Sequence, residues 1–449
     1  GIKKPGDYSK QSVKKITKAL KDEKNTDKRP NIIFIQLESF FDVGYEKNLQ
    51  FSEDPLPVFH SLQKKYSSGL VTVPTVGAGT VNTEFEILTG MRQHDFGVSE
   101  YPYKTVLKSK TSESICTDLK KLGYSTHAVH NNEATFYGRN TVFSNIGFDT
   151  FCSMEYMNGL TDSPNGWSND DVLSREIMKT LDSTSGPDFT TTIKVTGAPE
   201  GKEQAYEYYV NEIHEVDRMI DTLIKELSNR KEETVLVLYG DHLPSLDIQK
   251  DDLSNANLYQ TQYVVWDNMN LKKKTKNLHA YQLYAEVLDR IQIHEGMITK
   301  YHQQTKHRSK LYLTGLTTLS YDLLYGDNYA YDGKNPFKQT ELQMGTEPVK
   351  LTSVQKTKSG YRVVGSGFTP YCKVYYDGTL VESEWISSEC LQLQDEFELD
   401  EADKKDSGEP ETEVTEPRDV PNAFVVEVQS DDGVVLSSTQ AYPASQVKK

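Results

Sequence analysis

Two unbroken apolar runs stand out from the pattern of hydrophobic and polar positions. Val235 to Tyr239 lies between the charged stretch Lys231–Glu233 and Gly240-Asp241-His242. Ile32 to Leu37 follows the polar Asn31 and runs into Glu38. Short apolar runs rich in β-branched residues predict strands buried on both faces. Parallel sheets place ligands beyond the carboxyl ends of their strands, so these two exits predict one shared site. A plainer reading makes Asp241 a turn residue before Pro244 and Glu38 a helix cap.

From Pro30 to about Gly326, apolar runs alternate with helical periodicity, the pattern of a mostly parallel sheet covered by helices on both faces. Helices are expected at Pro57–Lys65, Asn82–Leu88, Ser114–Leu122, Asp170–Leu181, Glu203–Leu227 and Ala280–Leu288, with a polar helical tail at Tyr301–His307. Strands are expected at Ser125–Val129, Phe189–Val195 and Leu258–Trp266. The long helix carries Val210, Ile213, Val216, Ile220, Leu223 and Leu227 on one face, and His214 beside them reads as structural. His302 and His307 show no ligand pattern.

Beyond Pro348 the helical period gives way to short strand patterns and Asp-Gly turns, as in a small all-β sandwich. The expected organisation is a basic linker at 1–29, a catalytic α/β domain at 30–335 and a β-sandwich at 345–449 with an acidic flexible insertion at 396–418. In the linker, Val13, Ile16 and Leu20 suit one weak helix, and its ten Lys or Arg against four acids suit either an anionic membrane surface or simple solvation.

The chain has 449 residues and a formal charge of -16, enough for more than one domain. The acidic balance and the lack of a basic aromatic stripe argue against a nucleic-acid partner. No apolar run approaches the ~20 residues of a membrane span. Cys116, Cys152, Cys372 and Cys390 fall in no zinc-finger spacing. Cys372 and Cys390 are near enough in sequence to bridge, which their geometry decides.

Gly77-Ala78-Gly79-Thr80 follows a β-rich run and precedes a helix, the order of a nucleophile elbow, and a helix start offers free N–H groups to an anion. Glu38, Thr80, Asp241 and His242 form a hard N/O set suited to Mn, Mg or Zn. Such an ion would lower the pKa of the Thr80 hydroxyl as it attacks an anionic ester. Arg139 suits a two-pronged grip on a phosphoryl oxygen, and His130 suits proton donation to that group or to a leaving alkoxide.

The segments Asn31-Ile32-Ile33-Phe34-Ile35-Gln36-Leu37-Glu38, Gly79-Thr80-Val81-Asn82-Thr83-Glu84-Phe85, His130 with Phe136-Tyr137-Gly138-Arg139, and Tyr239-Gly240-Asp241-His242 resemble the ordered motifs of the lipoteichoic acid synthase family. This is the extracellular phosphoglycerol transferase branch of the sulfatase and alkaline-phosphatase-like superfamily. The resemblance implies that Thr80 is the nucleophile, moving glycerol phosphate from phosphatidylglycerol, or another glycerophosphate-bearing lipid, to a polymer or glycan acceptor. It implies one divalent ion, Mn foremost, on Glu38, Thr80, Asp241 and His242. It assigns glycerol phosphate to His130, Tyr137 and Arg139, with Tyr137 where the family commonly has tryptophan. It also implies a place at the outer face of a bacterial membrane, the spanning part lying outside this sequence.

One departure stands out. Where the family places a histidine before the long helix, this chain has Thr196-Gly197-Ala198-Pro199, and losing such a donor typically costs ~3 kcal/mol of transition-state stabilisation. Two alternatives follow: a phosphate or sulfate ester hydrolase of the same superfamily, or a catalytically weakened surface protein that binds glycan. Threonine cannot become the formylglycine of a usual sulfatase, so a sulfatase label describes fold more than chemistry.

Overall fold

The structure, a computed structural model, describes residues 2–157, 192–405 and 413–449. Among these, one compact unit comprises 2–126, 145–147 and 192–339, and the other 127–144, 148–157, 340–405 and 413–449. The expected helix at Asp170–Leu181 and the start of the strand expected at Phe189 lie outside the described residues.

The first unit is built on a five-stranded sheet of β1 (Asn31–Leu37), β2 (Ser67–Thr72), β3 (Thr234–Gly240), β4 (Gln260–Asp267) and β5 (Leu278–His279), in the order β1-β3-β4-β2-β5. β1 and β3 are parallel, with Leu37 opposite Gly240. β4 runs antiparallel to both β3 and β2, and β2 pairs parallel with β5. Four of the five strands therefore run in one direction and β4 alone opposes them, a mostly parallel sheet with one reversed strand, whose direction apolar runs do not report.

β3 is buried at every residue. β1 alternates buried and half-buried positions, because among the described residues it has one strand neighbour and stands at the sheet edge. Val195–Thr196 does not join this sheet and pairs instead with Gln50–Phe51.

Helices of this unit include α1 (Lys10–Ala19), α2 (Pro57–Lys65), α3 (Thr80–Thr89), α4 (Glu203–Asn229), α5 (Met297–Gln304) and α6 (Leu311–Leu324). α1 starts at a Ser9 capping box and buries Val13. Tyr8 donates to Asp322 at the end of α6 (2.7 Å), so the leader is folded against the unit. α2 has Pro57 in its first turn and no side-chain cap of its own. Asp217 of α4 supplies one, its oxygens accepting from the N–H groups of Val58 (2.9 Å) and Phe59 (2.8 Å). The buried stripe of α4 thus includes a carboxylate in addition to Val210, Ile213, Ile220, Leu223 and Leu227, which binary patterning does not anticipate.

In the second unit, His127–Val129, Thr150–Cys152 and Gln343–Met344 make a parallel three-stranded sheet. The strand expected at Ser125–Val129 belongs there and not to the core sheet. The C-terminal residues form two antiparallel sheets. Phe397 packs on Tyr361 of one and on Tyr376 and Phe424 of the other, so this part of the acidic stretch is anchored. Cys372 and Cys390 are not joined in a disulfide.

Candidate active site

The site begins at the exits of β1 and β3. After β3, Asp241 is fully buried and His242 nearly so. Asp241 Oδ1 accepts from the Ser39 N–H (2.7 Å), and its own N–H donates to Leu37 O (3.2 Å). The two strand ends are thereby tied to each other. Ser39 holds φ 53°, an uncommon conformation for a non-glycine residue, and its carbonyl accepts from the Tyr209 hydroxyl of α4. Gly240 is required sterically: a Cβ there would sit 1.8 Å from Phe40 O.

Thr80 is the first residue of α3, two residues earlier than the helix expected at Asn82, after Gly79 in the left-handed region (φ 85°). A Cβ at Gly79 would also press on Thr75 Cγ2 at 2.7 Å. Thr83, one turn on, donates to Asp241 O (2.7 Å), which locks the helix to the exit of β3. Gln36 Nε2 donates to Thr80 O (3.3 Å), and Tyr239 donates to Gln36 Oε1 (2.9 Å).

Three donor atoms converge here. Thr80 Oγ1 lies 3.3 Å from His242 Nε2, and His242 Nε2 lies 3.3 Å from Asp241 Oδ2. His242 Nδ1 is 2.8 Å from Leu243 O. That bond places a proton on Nδ1, so in the neutral ring the lone pair is on Nε2. Asp241 Oδ2 is buried without a hydrogen-bond partner, so with the neutral ring two acceptors face each other across the gap. Burial raises the Asp241 carboxyl above its ordinary range; His242, the Ser39 N–H and the Thr80 hydroxyl oppose the shift, and the Glu38 charge adds to it.

These atoms fit a divalent ion. Ligands at ~2.1 Å from one metal lie about 3.0–3.4 Å from each other, and the Nδ1 bond to a carbonyl is the usual outer support of a ligating histidine. Among the described residues, no three His, Cys, Asp or Glu side chains gather closely enough to hold a metal. The third close donor is the threonine hydroxyl. Glu38 is exposed at the exit of β1, and its charge is felt by Asp241 and by Glu212 of α4.

His130, Tyr137 and Arg139 belong to the second unit. His130 follows the strand His127–Val129, and its N–H donates to Cys152 O (3.0 Å). Tyr137 holds φ 58° in a short helical turn that leads into Arg139–Ile146. Arg139 is 1% exposed, with its guanidinium carbon 6.0 Å from the Phe136 ring centre and 5.8 Å from that of Tyr137. Ala198 sits in the turn before α4, and Gly197 beside it is held so close to Asn48 O that a Cβ would lie at 1.7 Å. His214 bonds Pro55 O (2.7 Å), and buried His302 bonds Tyr312 and Gly90 O, so both are structural.

Sequence reasoning missed Gln36, Ser39, Thr83 and Tyr209, which support the site through backbone groups, and Tyr239, which acts through the Gln36 side chain. The available signal was their position: each lies one to three residues from a candidate ligand or on the stripe of the long helix.

A 28% identical relative, "Putative cyclic beta-1,2-glucan modification protein" of Rhizobium meliloti (strain 1021), aligns over 282 residues, 55% of this chain and 43% of the relative. Phosphoglycerol transferase I of Xanthomonas campestris pv. campestris (strain B100) is 30% identical over 147 residues, 28% of this chain and 21% of its own. The chain thus spans less than half the length of these curated relatives. The solved Streptococcus pyogenes phosphoglycerol transferase GacH, in complex with sn-glycerol-1-phosphate, shares the fold with TM-score 0.61 and 21% identity, over 76% of this chain and 99% of that one. The family model for sulfatases matches residues 30–293, more than half of the sequence, and the chain belongs to the sulfatase family.

Proposed function

We propose that this protein is a metal-dependent phosphoglycerol transferase acting on phosphatidylglycerol or a related lipid at the outer face of a bacterial membrane. The observation that carries the reading is the convergence of Thr80 Oγ1, His242 Nε2 and Asp241 Oδ2 at the first turn of α3. The relatives named for phosphoglycerol transfer support the same reaction class. Among the described residues, no helix is long and apolar enough to cross a membrane. We read the two C-terminal sheets as a sandwich-like accessory module and residues 30–335 as the catalytic part.

Asp241, His242 and Thr80, with Glu38, would hold the ion. When bound, it lowers the pKa of the Thr80 hydroxyl and offsets charge on the phosphoryl oxygens. Thr80 Oγ then forms a bond to phosphorus while the bond from phosphorus to the diacylglycerol oxygen breaks, and diacylglycerol leaves with a proton. An acceptor hydroxyl next attacks phosphorus and releases Thr80, giving its proton to solvent. The peptide N–H groups of Thr80 and Val81 at the start of α3 would take phosphoryl oxygens, while that of Asn82 donates to Gly79 O (2.9 Å). Gln36 and Tyr239 hold the Thr80 carbonyl and so the angle of that turn. His130, Tyr137 and Arg139 are assigned to glycerol phosphate by their motif alone.

The test is lipid turnover. With phosphatidylglycerol bearing a fluorescent acyl chain, the wild type releases diacylglycerol only when Mn is supplied, and Thr80→Ala does not release it. Release that persists in Thr80→Ala, or none from the Mn-loaded wild type, rejects the proposal. Ala198 predicts a modest rate, because a donor supplied elsewhere in the family is missing.

A further inference from the structure

The basic residues are unevenly placed on a chain whose net charge is -16. Residues 296–321 contain Lys300, Lys306, Arg308 and Lys310 and no Asp or Glu. The end of α1 and the residues just after it, which carry Lys15, Lys18 and Lys21, are brought to the same place by the fold, with Asp22 on Lys300 and Glu23 on Gln304 beside them. Tyr8 bonds the end of α6 through Asp322. At the other end of α1, the Lys21 N–H donates to Gln304 Oε1 (2.8 Å) and Gln304 Nε2 donates to Lys21 O (2.7 Å). α1 therefore runs antiparallel to α6, and its lysine-bearing end meets the α5–α6 connection at residues 305–310.

Two features separate this patch from an ordinary solvated face. Lys15, Lys18, Lys21, Lys306, Arg308 and Lys310 are all exposed, and none forms an ion pair with a described residue, unlike Lys14 with Asp332 or Lys300 with Asp22. Next to the cations, Leu311 is 72% exposed and Leu313 39% exposed at the start of α6. Exposed leucines flanked by unpaired cations are the composition of an interfacial membrane-binding face: the apolar groups enter the headgroup boundary and the cations meet anionic lipid.

We propose that the C-terminal end of α1, the 305–310 connection and the first turn of α6 form a docking surface for an anionic lipid bilayer. The surface is separate from the reaction proposed above, and its cations act against the repulsion that the acidic remainder of the chain would meet at such a membrane.

The probe is the full chain with phosphatidylcholine vesicles, with or without phosphatidylserine, an anionic lipid that lacks the glycerol headgroup of the proposed substrate. Co-sedimentation is expected only with phosphatidylserine and is expected to weaken as salt rises. A lysine or arginine near an anionic surface contributes about fivefold to partitioning, so Lys306→Gln/Arg308→Gln/Lys310→Gln is expected to lose about a hundredfold. Leu311→Ser, at an exposed position that leaves the fold intact, is expected to weaken binding severalfold. Lys272→Gln/Lys273→Gln/Lys274→Gln removes the same charge from another exposed run of this unit and is expected to have little effect. Thr80→Ala is expected to bind as the wild type does, so lost turnover and lost docking are told apart. No binding to phosphatidylserine vesicles, equal losses from the two triple variants, or Leu311→Ser without effect and equal binding to soluble heparin would each overturn the proposal.

Discussion

Asp241→Asn separates the metal reading of the site from an ordinary ion pair. In the native arrangement Asp241 Oδ2 faces His242 Nε2 at 3.3 Å. With Nδ1 committed to Leu243 O, the neutral ring offers Asp241 Oδ2 no proton. The asparagine oxygen keeps the Ser39 N–H at 2.7 Å, while the new amide nitrogen donates to Nε2. The substitution exchanges two opposed acceptors for a hydrogen bond contributing ~1 kcal/mol and removes a charge from a fully buried position, where an uncompensated charge is costly. Without metal, the variant is expected to melt about 1–3 °C above the wild type. With Mn at a hundred times its dissociation constant, the wild type gains ~2.7 kcal/mol and the variant gains little. Differential scanning calorimetry in EDTA and then in Mn reads both effects. A variant that is less stable than the wild type in EDTA and responds to Mn equally would refute the argument, because the two side chains would then form a favourable pair without any ion.

Three further outcomes follow from contacts around the site. Asp217→Ala leaves the N–H groups of Val58 and Phe59 without their acceptors and is expected to destabilise by ~2–4 kcal/mol in urea unfolding, with Asp217→Asn losing less because one oxygen remains. Burial raises the Glu86 carboxyl to about 8. The native state therefore holds a proton that the unfolded chain has released, and stability falls as pH rises from the ordinary carboxylate range toward 8; Glu86→Gln, which keeps an acceptor for the Gln93 N–H (2.8 Å), is expected to flatten that fall in melts between pH 5 and about 8. Tyr239→Phe removes the 2.9 Å bond to Gln36 and is expected to lower kcat severalfold with KM nearly unchanged, measured by diacylglycerol release.

The parts of this architecture that were legible in the sequence are those set by local pattern. The boundaries of α2 follow from Pro57 at its start and from its periodicity, and the seven buried residues of β3 follow from an unbroken apolar run. The antiparallel direction of β4 was not legible, because apolar content carries no sign of direction. Thr80, Asp241 and His242 stand out as candidates because each sits at an element end with a residue type that has few other reasons to be there, and the fold brings the three together. Ser39, Gln36 and Thr83 act through backbone atoms and have no compositional signature. Residues 127–144 fall in the second unit because their strand pairs with Thr150–Cys152, a non-local contact that no periodicity encodes. The leader reads as linker from its charge, yet Val13 and Tyr8 are enough to seat it on α6.

Covalent capture at Thr80 reads the proposed nucleophile itself. The purified chain would be incubated with Mn and phosphatidylglycerol without an acceptor, quenched in acid, and examined by intact-mass spectrometry and peptide mapping. One glycerol phosphate per chain is expected on the peptide containing Thr80, absent in EDTA and absent in Thr80→Ala. An adduct mapped to another residue, or diacylglycerol release by a Mn-loaded enzyme in which Thr80→Ala remains active, would contradict it.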